Sequence, residues 1–341
     1  MTEKQKPRIL VLGGNKDKWS SKSRPEMYAY TTGVESWALA CDGDYNFGLN
    51  SSLKEINSYD IVIGNTNFGK ATAHLRKLAE SRNSNVKWVS LIEGDATYYL
   101  KPRENIRELF DCSDLIITLN KLTDPIFRHL TNSKVEFIGI PYPVESISQK
   151  TIPIEKREKK IYINPFLRYR WNDYLVAKNI GFPYFGFDER VSRKPKNYLK
   201  MLKASKSLNP LYMLDEDKII YNDPDLGIST VAPLHEYFDI VNKSYLWINM
   251  DNRYTWGRYV LDAAALQIPI ITTKSTGHGS DLFPLTTLDN EFELDKAIEL
   301  RNRLMSDTEF YEEVSKFPIG KIDQYSYLNM RNKLFKTLGI S

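Results

Sequence analysis

Arg258 and Asp262 stand four residues apart behind Gly257 in the run DNRYTWGRYVLDAAALQIPIITT. That spacing puts a cation and a carboxylate on one face of any helix beginning there. A cation in a first helical turn opposes the helix dipole unless an anion offsets it. The pair is therefore either an internal ion pair or a contact for a polar ligand. Gly257 favours the ligand, because backbone amides at a helix N-terminus can then be approached closely by an anion such as phosphate. A second polar loop, Lys274-Ser275-Thr276-Gly277-His278-Gly279, follows the next apolar run, and His278 between two glycines is the histidine whose setting suits ligand contact.

Arg168 and Arg170 in NPFLRYRW offer a bidentate grip on a diphosphate or, equally, packing against their aromatic neighbours. Gly13-Gly14 close an apolar run and are read as a plain turn or as amides turned to a ligand. The remaining candidates are weaker. Asp42-Gly43-Asp44 has the form that holds a divalent ion beside a diphosphate, but its turn formers read as a surface turn. His74, His129, His235 and His278 show no metal-ligand spacing, and neither a G-x-G-x-x-G nor a P-loop nor a G-x-S-x-G elbow occurs.

These residues need elements to hold them. Residues 245–249 read as a strand, 256–267 as a helix apolar on nearly every side, and 268–273 as a second strand. The result is a βαβ unit in the middle of a covered parallel sheet, with both candidate loops beyond the carboxyl ends of its strands, where open α/β sheets bind ligands. Earlier strands are expected at 8–13, 59–64, 86–92, 114–119 and 135–140, with helices at 28–40, 70–81, 103–110 and 125–130 between them. Prolines and charges then mark a linker, after which a new cycle opens with a strand near 160–164, a helix near 171–178 and a strand near 182–187. Helices at 291–305, 308–316 and 325–338 end the chain.

At 341 residues, 42% hydrophobic and 26% charged, the chain suits two globular domains. Two cysteines without ligand spacing exclude a disulfide framework, a reduced cytoplasmic setting is expected, and no apolar stretch suits a transmembrane span. Residues 156–206 hold 14 Lys/Arg against 4 Asp/Glu, so this segment carries +10 of a net charge of +4. Such a segment suits nucleic acid, an anionic membrane surface or an anionic substrate.

The second half resembles the C-terminal domain of GT-B fold glycosyltransferases, in which two Rossmann-like domains face across a cleft. Gly257 matches the second glycine of that family's Glu-Gly-Phe-Gly motif, Asp262 the second acidic residue, Ala263-Ala264-Ala265 the small-residue helix, and Gly277 and Gly279 the Gly-Gly loop. Tyr254 stands at the first acidic position and Thr255 at the first glycine, which leaves the stereochemistry of transfer open. The resemblance implies an α/β protein divided as follows. An acceptor-side domain spans 1–142, a linker 143–159 and a nucleotide-sugar domain 160–324, and a final helix, 325–341, crosses back to the first domain. It assigns Asp262 to the donor ribose and Arg168 to the diphosphate, with no metal or other cofactor required.

The expected activity is sugar transfer from a nucleoside-diphosphate sugar to a hydroxyl. The donor site draws on Gly13, Gly14, Arg168, Arg170, Tyr254, Thr255, Gly257, Arg258, Asp262, Gly277 and His278. Glu93 and Asp95, just beyond a strand in IEGD, are the candidate base if the reaction inverts, although a helix cap and turn is an equal reading. The acceptor is open between a glycan or small molecule and a modified DNA base, as in phage DNA glucosyltransferases. Peripheral membrane contact and an inactive sugar-nucleotide or nucleic-acid binding protein also remain open.

Overall fold

In the computed structural model, the described residues are 6–14, 16–26, 30–66, 69–94, 99, 104–163, 171–178, 181–187, 223–229 and 233–340. The first half builds six strands: β1 (Ile9–Gly13), β2 (Asp44–Phe47), β3 (Ile61–Asn65), β4 (Lys87–Leu91), β5 (Leu115–Thr118) and β6 (Val135–Phe137). The second half builds β7 (Glu158–Ile163), β8 (Tyr184–Phe187), β9 (Leu226–Ser229), β10 (Ser244–Asn249), β11 (Ile270–Thr273) and β12 (Thr287–Leu288). They form two parallel sheets, ordered β2-β1-β3-β4-β5-β6 and β12-β11-β10-β7-β8-β9. The chain order reverses between β1 and β3 and again between β7 and β10, and it is at such reversals that a crevice opens beyond the carboxyl ends of strands.

β1, β3, β5 and β11 are buried along their whole length, so alternate side chains feed different clusters. Ile9 and Val11 join a core that runs through Tyr142 and Trp256 to Trp247 and Leu334, and Leu10 and Leu12 join Trp88 and Leu109 on the opposite face. The continuity of the larger cluster across both sheets seats them against each other. The last helix, Tyr327–Leu338, tightens this seam by returning to the first half. Ser326 caps it by accepting from Asn329 N–H, Tyr327 Oη donates to Thr31 O at 3.3 Å, and Lys333 Nζ donates to Phe137 O at 2.7 Å.

Several elements differ from the expectations. The 28–40 helix is confined in the described residues to Ser36–Cys41, because Thr31-Thr32-Gly33 carry little helix propensity. The Asp42-Gly43-Asp44 turn leads straight into the unexpected strand β2. Asp42 takes the left-handed conformation at φ 50° and pairs with Lys6 and Arg24, whereas Asp44 accepts from Tyr59 Oη at 2.6 Å. β9 and the helix Leu234–Val241 were also unexpected.

The stretch expected as a linker, 143–159, carries structure of its own. It contains the helix Val144–Ser148, and its far end grips the carboxyl terminus of the helix Arg258–Ala265. Thr151 Oγ1 donates to Ala265 O at 3.1 Å, and Arg157 donates to Leu266 O at 3.0 Å and Gln267 O at 2.9 Å. Cys41 and Cys112 are free thiols. Among the described residues no helix is long and apolar enough to cross a membrane.

Candidate functional site

A cleft of about 320 Å³ opens between the two sheets, beyond the carboxyl ends of both. The first half contributes Thr32, Gly33, Glu93, Gly94, Leu119 and Ile140, and the second contributes residues from Asn249 to Tyr259. Its second wall is the loop after β10. Asp251 Oδ1 accepts from Arg253 N at 3.0 Å and lies 3.1 Å from Arg253 Nε, and the Asp251 carbonyl receives the hydroxyls of Thr273 and Ser275 beyond β11.

The loop ends at Gly257, whose φ of 68° and ψ of 37° only glycine adopts freely. A Cβ there would lie 2.2 Å from the backbone oxygen of Thr276, so the space is closed as well as the conformation. The helix Arg258–Ala265 starts immediately after, with its N-terminus at the cleft and its internal bonds beginning with Val260 N–H to Gly257 O.

Arg258 lines the cleft with its side chain 31% exposed, its Nε 3.2 Å from Asp262 Oδ2 and its guanidinium over the rings of Tyr237 and Tyr259. Arg258 Nε–H finds no well-directed acceptor, so the contact is a charge pairing more than a hydrogen bond. Asp262 lies beneath the cleft at 0% exposure and accepts from Tyr142 Oη at 2.6 Å and Tyr237 Oη at 3.4 Å. Burial pushes its carboxyl above the ordinary range, against the opposing pull of Arg258 and the tyrosine hydroxyls.

Glu93 faces the cleft from the first half and accepts from Asn65 Nδ2 at the end of β3. Burial raises its pKa, Asn65 lowers it, and the charge of Glu35 raises it further, which makes Glu93 a stronger proton acceptor than a solvated glutamate.

The structure thus brings Glu93, Thr255, Gly257 and Arg258 together and places other expected residues elsewhere. Asp262 holds Arg258 from below and is absent from the cleft lining. His278 is corrected more sharply, since its exposure is 0% and it is wedged edge-on between Trp256 and Tyr325, with Nδ1 3.0 Å from Tyr325 Oη. Burial lowers its pKa to about 3, helped by Lys121 and Lys333, so the ring is a neutral packing group.

Gly277 is a glycine because Asn120 crosses the seam there, with a Cβ position only 3.0 Å from Asn120 Nδ2. Gly13 makes room for Tyr45, whose Oη would lie 2.2 Å from a Cβ, and neither Gly13 nor Gly14 lines the cleft. Tyr254 is 41% exposed and outside the lining. Asp95, Arg168 and Arg170 lie outside the described residues.

Sequence reasoning missed Asn120, Tyr142 and Tyr237. Asn120 is 1% exposed and donates to Ser275 O at 2.7 Å and Thr255 O at 3.2 Å while accepting from Leu122 N at 3.0 Å. It pins both second-half loops to the first half, and nothing local in its sequence announces partners so distant. Asn120→Ala strands those groups, so a loss of about 1–2 kcal/mol in urea unfolding is expected.

No family model matches the chain, and no curated protein matches it in sequence. Its backbone does have counterparts. An alpha-glucosyltransferase in complex with UDP and a 13-mer DNA containing an HMU base aligns over 98% of this chain and 99% of its own, at TM-score 0.62 and 13% identity. Sucrose-phosphate synthase from Thermosynechococcus elongatus aligns over 98% and 99%, at TM-score 0.64 and 10% identity. The α,α-trehalose 6-phosphate synthase from Burkholderia multivorans aligns over 98% and 96%, at TM-score 0.62 and 9% identity. The fold is GT-B. In this GT-B chain the cleft between the sheets coincides with the paired carboxyl-end loops, and the glycine-started helix opens on it.

Proposed function

We propose that this GT-B chain is a glycosyltransferase that moves a sugar from a nucleoside-diphosphate sugar to a hydroxyl acceptor. The observation that carries this reading is the facing of Arg258 and a helix N-terminus on one wall of the cleft by the buried-edge carboxylate Glu93 on the other. A departing nucleoside diphosphate needs fixed positive charge and amide dipoles, which Arg258 and the helix start after Gly257 supply. Arg168 and Arg170, which follow β7 in the chain, are carried forward as further diphosphate contacts. Glu93, with Asp95 beside it in sequence, is assigned to the acceptor hydroxyl as proton acceptor if the reaction inverts. Seating of the two sheets around the substrates excludes competing water.

Support comes from the solved GT-B relatives that hold UDP or act on sugars. The reading requires no metal. UDP or GDP at a hundredfold excess over its Kd is expected to stabilise the protein by about 2.7 kcal/mol, with the gain unchanged by EDTA. Slow release of nucleoside diphosphate from a donor panel, followed by mass-spectrometric detection of transfer, separates an enzyme from a binding protein. Absence of any nucleotide-dependent stabilisation sinks the donor site.

For the acceptor, the +10 segment at 156–206 favours DNA, and the first relative was solved with DNA. The first-half wall of the cleft presents Thr32 and Glu93 and no cation among the described residues, which suits a neutral hydroxyl at the reacting end rather than a phosphate. DNA affinity that falls steeply with salt supports this acceptor, and indifference to DNA at low salt rejects it.

A further inference from the structure

Tyr142 lies where the first sheet hands the chain to the linker, and its ring is wholly buried. Its N–H donates to Tyr325 O at 2.8 Å, and it bridges to Ser326, the cap of the returning C-terminal helix. From that anchored position its hydroxyl crosses the seam to Asp262 Oδ1 at 2.6 Å. The other oxygen of the same carboxylate sits 3.2 Å from Arg258 Nε and 3.4 Å from Tyr237 Oη. A carboxylate with 0% exposure has no solvent to reorganise around it, so these partners set its orientation. Among its described partners, Tyr142 makes the shortest contact and comes from the opposite side of the seam.

We propose that Tyr142 is a positioning residue for Arg258, acting through Asp262, so that the placement of the cleft cation depends on how the two sheets are seated. The hydroxyl fixes the carboxylate, and the charge of the carboxylate, 3.2 Å from Arg258 Nε, holds the guanidinium on the cleft wall where a diphosphate would meet it. Tyr237 and Tyr259 form the aromatic bed on which the guanidinium rests. Asp262 is thereby given a role different from the ribose contact implied by resemblance. This inference rests on the donor-site reading given above.

Tyr142→Phe tests it, because the ring that fills the core stays and only the hydroxyl leaves. Titrations of the full chain with UDP and with uridine report different things, since uridine lacks the diphosphate. UDP affinity is expected to fall about tenfold, the scale of one hydrogen bond to a charged group, while uridine affinity stays unchanged. Asp262→Asn should show the same selective loss, and the double variant should be no weaker than the worse single one, as members of one network behave. Equal losses for UDP and uridine, additive losses in the double variant, or native UDP affinity in Tyr142→Phe each overturn the inference. A native protein that binds UDP alongside an unaffected Tyr142→Phe sinks this relay alone. A native protein that binds no nucleoside diphosphate sinks the donor-site reading and the relay together.

Discussion

Arg258→Ala is expected to weaken UDP binding about 100-fold, the scale of a desolvated charge contact, and to destabilise the fold by about 3 kcal/mol. The stability loss arises at Asp262, which is fully buried and loses its only cation among its described partners. Removing one member of a buried ion pair leaves an uncompensated charge, and the effect falls at the lower end of the usual range because Tyr142 and Tyr237 still donate to the carboxylate.

The pH dependence of this variant carries its own sign. Burial already raises the Asp262 pKa, and Arg258 opposes that rise, so its removal lifts the folded-state value further. A carboxyl whose folded pKa exceeds its unfolded one binds more protons when folded, and its stability contribution falls as pH rises through that window. The deficit of Arg258→Ala is therefore expected to shrink as the pH is lowered from neutrality, read by urea unfolding at each pH. A constant deficit would place the lost energy in the packing of Arg258 over Tyr237 and Tyr259 and not in the stranded charge.

His278 gives the second large effect. Its ring is held neutral down to about pH 3 by burial, with Lys121 and Lys333 contributing, whereas an unfolded histidine titrates at 6.5. Between those values the unfolded chain takes up a proton that the folded ring refuses, so native stability is complete above 6.5 and falls with acidification. By pH 5 the loss is about 2 kcal/mol, from about 1.4 kcal/mol per pH unit.

The other perturbed groups do not mimic this limb. Glu93, Asp124 and Asp262 have raised pKa values and contribute in the opposite direction, while Asp42, Asp114 and Asp223 are held low and lose their contribution only below the ordinary carboxylate range. His278→Gln should flatten the limb between pH 6.5 and 5 in chemical denaturation, at a fixed cost for the altered contact with Tyr325. A limb of native slope in that variant would assign the acid sensitivity to another group.

Legibility followed the range of the interactions. β1, β3 and β5 are buried along their whole length and read as largely apolar runs, and β4 is buried after its exposed Lys87, so their positions are plain within a residue or two. The helix Thr308–Lys316 appeared at its expected bounds because its cap, Asp307 accepting from Phe310 N–H, is local. β2 was hidden because DYNF is a polar edge strand whose partner, β1, lies more than thirty residues earlier in the chain. At the site, the broken dipole rule points to Gly257 and Arg258, which do line the cleft, whereas the burial of His278 is not local, because a glycine-flanked histidine looks exposed until Trp256 and Tyr325 close over it.

Sequence by itself determined the two parallel α/β halves, the glycine-started helix and the Arg258–Asp262 spacing, because burial period, capping and helix geometry act within a few residues. Only the tertiary structure decided which of those groups face the cleft. Asp262 turned inward to Tyr142, 120 residues away, and Asn120 reached 155 residues to Ser275. Such contacts depend on how two sheets seat against each other, and that seating is set by a core shared across the seam and by no local pattern.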